Sequence, residues 1–321
     1  MREFIIEQND AGQRLDKYLF KLLPEAEHSL LYKQLRNKNI TLNHRKCKGD
    51  EKLVLQDTIQ IFMADDTIAK FMKTKEKNNT PAFSPDKFRV VYESENILAV
   101  DKPVGELSQK AQADDISMNE YLEAYLLMNG YKAGKTFKPS FCNRLDRNTS
   151  GLLLAGKSLA GSQLLSSLLK ERTLKKYYLA VVLGKLDCAG QVDAYLLKDE
   201  NSNRVTVYSS ESSAPKNAAR ILTEYTPLAY DSQKDLTLCR IHLITGKTHQ
   251  IRAHLSYLGH PVLGDHKYGN ESINLSFREK YQLLHAYEVF FPEDCGSLSE
   301  LSSLALRTQY PNRFRKYFDE V

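Results

Sequence analysis

The sequence holds few cysteines, and none is spaced to work as a pair. The five stand at positions 47, 142, 188, 239 and 295. Their number is odd and no two form a CxxC, which argues against a disulfide framework or a cysteine zinc site and suits a reducing compartment. Long apolar runs are also missing, and nothing approaches the ~20 residues that a membrane-crossing helix requires. The opening Met1-Arg2-Glu3-Phe4-Ile5-Ile6-Glu7 carries acids where a signal peptide has an apolar stretch. These absences predict a cytoplasmic protein. Regular strand–helix alternation is lacking too, which makes a doubly wound parallel sheet a poor fit.

What is present suffices for one large and one small domain: 321 residues, 42% hydrophobic and 26% charged. A net charge of +5 permits nucleic acid as a partner but is common among soluble enzymes. The placement of charge says more. Lys33, Arg36, Lys38, Arg45, Lys46 and Lys48 occur in one stretch with no acid among them. A solvated face usually mixes signs, so this run predicts phosphate contact.

Periodicity predicts a helix over Gln13–Leu23, ended by Pro24, and a second from an N-cap at Ser29 to about Asn37. Short strands follow at Ile40–Asn43, Leu53–Leu55 and Thr58–Phe62. Residues 65–87 read as a polar linker between a domain at 1–64 and another at 88–321. In the second domain, strands are expected at Arg89–Glu93, Ile97–Asp101, Leu152–Ala155, Tyr177–Leu183, Ala219–Tyr225 and Leu236–Leu243. Helices are expected near Met118–Leu127, Leu159–Lys170 and Thr248–Leu258. The class is α+β, with a largely antiparallel or mixed sheet. Residues 297–321 show helical patterning with basic residues and carry no assigned role.

Three stretches bear chemistry. Asn143-Arg144-Leu145-Asp146-Arg147-Asn148-Thr149-Ser150-Gly151 is a charged, turn-rich loop running into a buried strand. On spacing alone, turn and cap chemistry is the favoured account of its Asp, Asn, Thr and Ser. Thr245-Gly246-Lys247-Thr248-His249-Gln250-Ile251-Arg252 suggests a phosphate loop, but Ile241 stands where the second glycine is required. His249 and His254 have no carboxylate at a known ligand spacing, so no metal is expected. Arg252, beside the apolar stripe of Ile251 and Leu255, is placed for partial burial and would then need a carboxylate. Lys175-Lys176-Tyr177-Tyr178 begins a strand whose alternation sends the two tyrosines to opposite faces.

In order, these segments resemble the RluA-type family of pseudouridine synthases over about residues 88–292. Val100-Asp101-Lys102-Pro103-Val104-Gly105, His260-Pro261-Val262-Leu263-Gly264-Asp265 and Leu284-His285-Ala286 complete the pattern. Residues 13–62 resemble the alpha-L RNA-binding module first known from a small-subunit ribosomal protein, through Arg14-Leu15-Asp16-Lys17 and Ile40-Thr41-Leu42-Asn43. Asn143, Lys247 and Glu106-Leu107-Ser108-Gln109-Lys110 depart from the family pattern and bear on substrate more than on reaction.

The resemblance implies isomerisation of uridine to pseudouridine in structured RNA, a redox-neutral change that needs no cofactor. Asp146 becomes the catalytic carboxylate, either as nucleophile on the sugar or on the uracil, or as the base that removes a sugar proton. Arg252 pairs with it and holds its charge. Tyr178 stacks on the uracil, and Arg144 fills the gap left by the extruded base. Lys175, Lys176, Lys247 and the basic run at 33–48 hold phosphates. The alpha-L-like module favours ribosomal RNA of the large subunit, with transfer RNA open, and a monomer without an obligate protein partner is expected. Two other classes compete: a non-catalytic RNA-binding or ribosome-assembly factor, and a glycoside-type hydrolase needing a second acid that the sequence does not reveal.

Overall fold

The computed structural model describes residues 1–72, 84–132 and 134–320. The first part is a small unit of β1 (Arg2–Ile5), α1 (Leu15–Leu22), α2 (His28–Arg36), β2 (Ile40–Leu42), β3 (Arg45–Lys46), β4 (Thr58–Ile61) and α3 (Asp65–Phe71). Its strands pair antiparallel in the order β1-β4-β2-β3. Leu15, Tyr18, Leu19 and Leu22 share one face of α1 and pack with Leu31 and Leu35 of α2 and Ile59 and Ile61 of β4.

Several local expectations change here. Ser29 lies inside α2, where its hydroxyl donates to Glu27; Glu27 is at the N-cap position and makes no side-chain cap bond. Leu53–Leu55 forms no strand, because Leu53 is tied to the Gln13 carbonyl and Val54 to the Asp57 carboxylate at a turn. The edge strand is β1, four residues too short to announce itself by alternation. The expected linker opens instead with α3, whose Ile68 is buried in the small core. Residues 73–83 of that segment lie outside the described residues.

The larger unit contains β5 (Arg89–Glu93), β6 (Ile97–Lys102), α4 (Met118–Met128), β7 (Ser140–Phe141), β8 (Ser150–Gly156), α5 (Leu159–Glu171), β9 (Lys175–Leu183), β10 (Gly190–Asp199), β11 (Arg204–Tyr208), β12 (Ala219–Asp231), β13 (Leu236–Leu243), α6 (Gln250–Tyr257), α7 (Glu271–Phe277), β14 (Leu284–Phe290) and β15 (Ala305–Arg307). One mixed sheet runs β11-β10-β12-β13-β9-β14-β8-β6-β5, with β15 on β14 and β7 on β8. Every pairing is antiparallel except β14 with β8.

Alternation divides the central strands between two cores. Leu98, Val100, Tyr178, Ala180 and Val182 pack on the face that carries α4 and α6. Ile97, Ala99, Leu179 and Val181 pack on the other face, against α5 and the chain end. That end is not an α-helix among the described residues: it contributes β15 and turns whose Tyr310, Phe314, Tyr317 and Phe318 cover the back of the sheet.

The parallel pairing of β14 with β8 is the seam of the sheet and spans only His285–Ser150 and Ala286–Gly151. Gly151, at φ 112°, permits it: a Cβ there would lie 2.2 Å from the Ala286 carbonyl oxygen. His285 is buried beside the seam, its two ring nitrogens bonded to Ser150 Oγ (2.8 Å) and Thr308 Oγ1 (2.6 Å).

The two units are joined by Asp10, which is fully buried. Its carboxylate accepts the backbone N–H groups of Lys135, Thr136 and Phe137 and the Thr136 hydroxyl. Gln13 adds a bond to Thr136.

Burial pushes His285 down to about 3 and His254 down to about 4. Both folded values fall below the ordinary 6.5, so the unfolded chain binds more protons. Their contribution to stability is full above the ordinary value and is lost as pH falls, at up to ~1.4 kcal/mol per pH unit for each histidine. Urea midpoints should therefore drop between pH 7.5 and pH 5, and His285→Asn should show a smaller drop than the parent.

Candidate active site

A cleft of about 1100 Å³ crosses the sheet at the seam. Asp146 is the sole carboxylate among its described lining residues, while Arg144, Lys170, Arg172, Lys198, Arg204 and Lys247 are among its many cations. Such a surface attracts a polyanion.

The loop bearing Asp146 is held from three sides. The Asn143 side chain donates to the Leu152 carbonyl and accepts from Leu154 N–H, so it extends the edge of β8. Ser108 Oγ donates to the Leu145 carbonyl and accepts from its N–H. Lys102, fully buried at the end of β6, donates to the carbonyls of Pro103, Glu106 and Arg147. Burial pushes Lys102 down to about 7, against the charges of Glu106, Asp146 and Asp101. Three acceptors and no donor match the three hydrogens of an ammonium, so the charged form is the one this pocket fits. Two departures from the family pattern, Asn143 and Ser108, are thus supports of the loop backbone.

Opposite the loop, α6 carries Arg252. Its Nη1 donates to Asp146 Oδ2 at 2.7 Å, while Nε and Nη2 bind Asp265 Oδ2 and Oδ1 at 2.7 and 2.9 Å. The guanidinium is almost buried and Asp265 entirely so. Burial works against the charge of Arg252, but Asp265 and then Asp146 raise its pKa well above the ordinary value. For Asp265 burial would raise the carboxyl, and Arg252 with the N–H groups of Lys267 and Tyr268 holds it below 3.8. A bidentate pair fixes the fork so that an N–H of Nη1 aims at Asp146. Asp146 Oδ1 accepts no hydrogen bond among the described residues, and Asp146 lines the cleft.

Tyr178 lies at the cleft floor on β9, with Lys176 on the same face. Burial, then the charge of Asp146, pushes the phenol upward, so it stays protonated. Lys175 does not line the cleft: alternation turns it outward with Tyr177, which stacks on His242 at 4.7 Å. Lys176 is itself nearly buried, and burial lowers its pKa. Arg144 and Lys247 are exposed at the rim.

Sequence patterns assign no role to Asp265 and dismiss His249. The need of a half-buried Arg252 for more than one acceptor is the available signal for Asp265, which follows Gly264. His249 Nε2 lies 3.9 Å from Asp146 Oδ2.

Residues 96–257, half of the chain, match the family model described as RNA pseudouridylate synthase. An uncharacterized RNA pseudouridine synthase of Mycoplasma genitalium is 32% identical over 311 residues, covering 96% of this chain and 93% of that one. The chain belongs to the RNA pseudouridylate synthase family. The ribosomal large subunit pseudouridine synthase C of Rickettsia bellii is 32% identical over 300 residues, 87% of this chain and 89% of its own. The human RNA pseudouridylate synthase domain containing 1 shares the fold, with a TM-score of 0.55 at 24% identity over 73% of this chain and 87% of that one. As a member of this family the chain is an isomerase of uridine in RNA.

Asp265→Asn should leave one fork of Arg252 without a charged partner. A misplacement of about 1 Å costs on the order of 100-fold in rate. We expect pseudouridine formation to fall by about that factor in single-turnover assays, with substrate RNA binding within about threefold of the parent.

Proposed function

We propose that this synthase modifies ribosomal RNA of the large subunit, with Asp146 as the reacting carboxylate and no cofactor. The observation that carries it is the lone acid in a cation-lined cleft, its Oδ2 held by Arg252 and its Oδ1 free. The names of relatives such as those of Rickettsia bellii and Vibrio cholerae support the choice of RNA.

Pseudouridine formation breaks the bond from C1′ to N1 of uracil, turns the base, and joins C1′ to C5; C5 then gives up its hydrogen as a proton and N1 takes one up, so the net change is an isomerisation. Asp146 either attacks C1′ or removes the proton at C2′. In both routes a charged oxygen is needed at the sugar, and Arg252 keeps the group aimed there. Tyr178 supplies a flat, neutral ring against the uracil. As a phenol held protonated it is a donor and a stacking surface, not a resting base. Arg144, exposed at the rim, occupies the gap left in the RNA stack, and Lys176 and Lys247 meet phosphates. Extrusion of the base costs a few kcal/mol, which favours uridines in loops.

We assign RNA binding to the small unit because Lys33, Arg36, Lys38, Arg45, Lys46 and Lys48 are all exposed. They gather at the end of α2 and along β2–β3, and none forms an ion pair among the described residues. Residues 1–64 then act as a module that brings RNA to residues 88–320.

An in-vitro transcript of the large-subunit RNA tests the reaction. Wild type should form pseudouridine and Asp146→Ala should form none while binding the RNA equally; equal activity of the two would sink the assignment. Replacing Lys33, Arg36 and Lys38 by Gln should weaken binding and reduce the slope of log affinity against log salt by ~0.7–0.9 for each phosphate no longer neutralised. An unchanged slope removes the module's phosphate role.

A further inference from the structure

His249 has no part in the chemistry described so far, yet it is built into the wall of the cleft beside Asp146. It precedes α6 in the left-handed region, φ 54°, and its side chain makes no cap bond to that helix. A non-glycine residue held there is costly, and such conformations persist where the surroundings demand a particular side-chain placement.

The surroundings also decide which ring nitrogen carries the hydrogen. Nδ1 lies 2.9 Å from the Tyr268 hydroxyl oxygen. That oxygen already accepts the N–H of Val205, also at 2.9 Å. A backbone amide only donates, so the phenol has its own hydrogen left to give, and Nδ1 of His249 accepts it. The neutral ring then carries its hydrogen on Nε2. Burial keeps the ring neutral by lowering its pKa, against Asp146 and Asp265 and together with Arg252 and Lys267, the charged groups that face it. The Tyr268 ring is fixed in turn between the guanidiniums of Arg204 and Arg252, 5.4 and 5.3 Å from its centroid.

Nε2–H therefore faces Asp146 Oδ2 across 3.9 Å. That is too long for a direct hydrogen bond, but one oxygen atom fits about 2.8 Å from both. It must accept from Nε2–H and donate to the carboxylate. A uridine inside an RNA chain offers O2 and O4, which only accept, and N3–H, which only donates. Its 2′-hydroxyl does both, and the carbon bearing it adjoins the C1′ whose glycosidic bond breaks.

We propose that His249 and Asp146 jointly bind the 2′-hydroxyl of the reacting uridine, so that His249 reads ribose at the active centre. The inference rests on Asp146 as the reacting carboxylate. It adds a specificity residue and predicts that DNA is refused at the target nucleotide itself.

The test starts by mapping the uridine that wild type modifies in the large-subunit transcript. If no pseudouridine forms, the proposed function fails and this inference falls with it. A short RNA hairpin carrying the mapped uridine is then compared with the same hairpin bearing one 2′-deoxyuridine there. Wild type should favour the all-ribose hairpin by about 100-fold or more in kcat/KM, as expected when a site built for a hydroxyl meets a substrate lacking it. His249→Asn, which tolerates the left-handed backbone, should shrink that ratio to within about threefold. Tyr268→Phe, which keeps the ring but frees the imidazole, should give an intermediate ratio and carries the test should the first variant not fold. A wild type indifferent to the 2′-hydroxyl overturns the proposal. So does a variant whose activity falls equally on both hairpins, the result expected if only water fills the gap or if His249 merely supports the fold.

Discussion

The site depends on one guanidinium shared by two carboxylates. Arg252 is buried, and a buried cation with a single partner would be held weakly and at high cost. Asp265 takes two of its N–H groups in a plane and so fixes both its charge and its direction. One N–H of Nη1 is thereby pointed at Asp146. The division of labour is chemical: the enclosed acid stabilises the arginine, and the acid at the cleft stays partly open to solvent. Cations crowd the cleft, and Asp146 is the single acid among its described lining residues.

Around that pair, backbone rather than side-chain chemistry is held in place. Lys102, Ser108 and Asn143 all bond to main-chain atoms of the reactive loop or of the strand it enters. Side chains that satisfy backbone groups leave the outward side chains of the loop, Arg144 and Asp146, free for substrate. This explains how a turn-rich stretch, which alone reads as ordinary loop chemistry, presents a carboxylate with little freedom.

The legible part of the sequence is the part with long period or long order. α1, α4, α5 and the central strands β6, β8, β9 and β13 follow apolar spacing, and their positions agree with the structure. Asp146, Tyr178 and Arg252 are readable from ordered motifs, and the structure brings them to one cleft. Short elements are lost: β1, β3 and β15 are too brief to show alternation, and β10 and β11 carry too much polar surface. Ser29 resembles a cap by type, but the helix starts one residue before it. Lys175 is misplaced because adjacent lysines invite one role, although a strand sends neighbours to opposite faces. Asp265 and His249 escape because their importance lies in pairwise geometry, Asp265 with Arg252 13 residues away and His249 with Asp146 some 100 residues away, which no residue-type motif encodes.

The seam between β8 and β14 has a consequence for the mechanics of the molecule. Asp146 is carried by the strands on one side of that two-pair junction, and Arg252 and Asp265 by the strands and helices on the other. The Arg252–Asp146 ion pair is therefore also a clasp across this two-pair joint. Widening the cleft by an ångström would take this 2.7 Å contact beyond hydrogen-bond distance, so the ion pair and the joint open together.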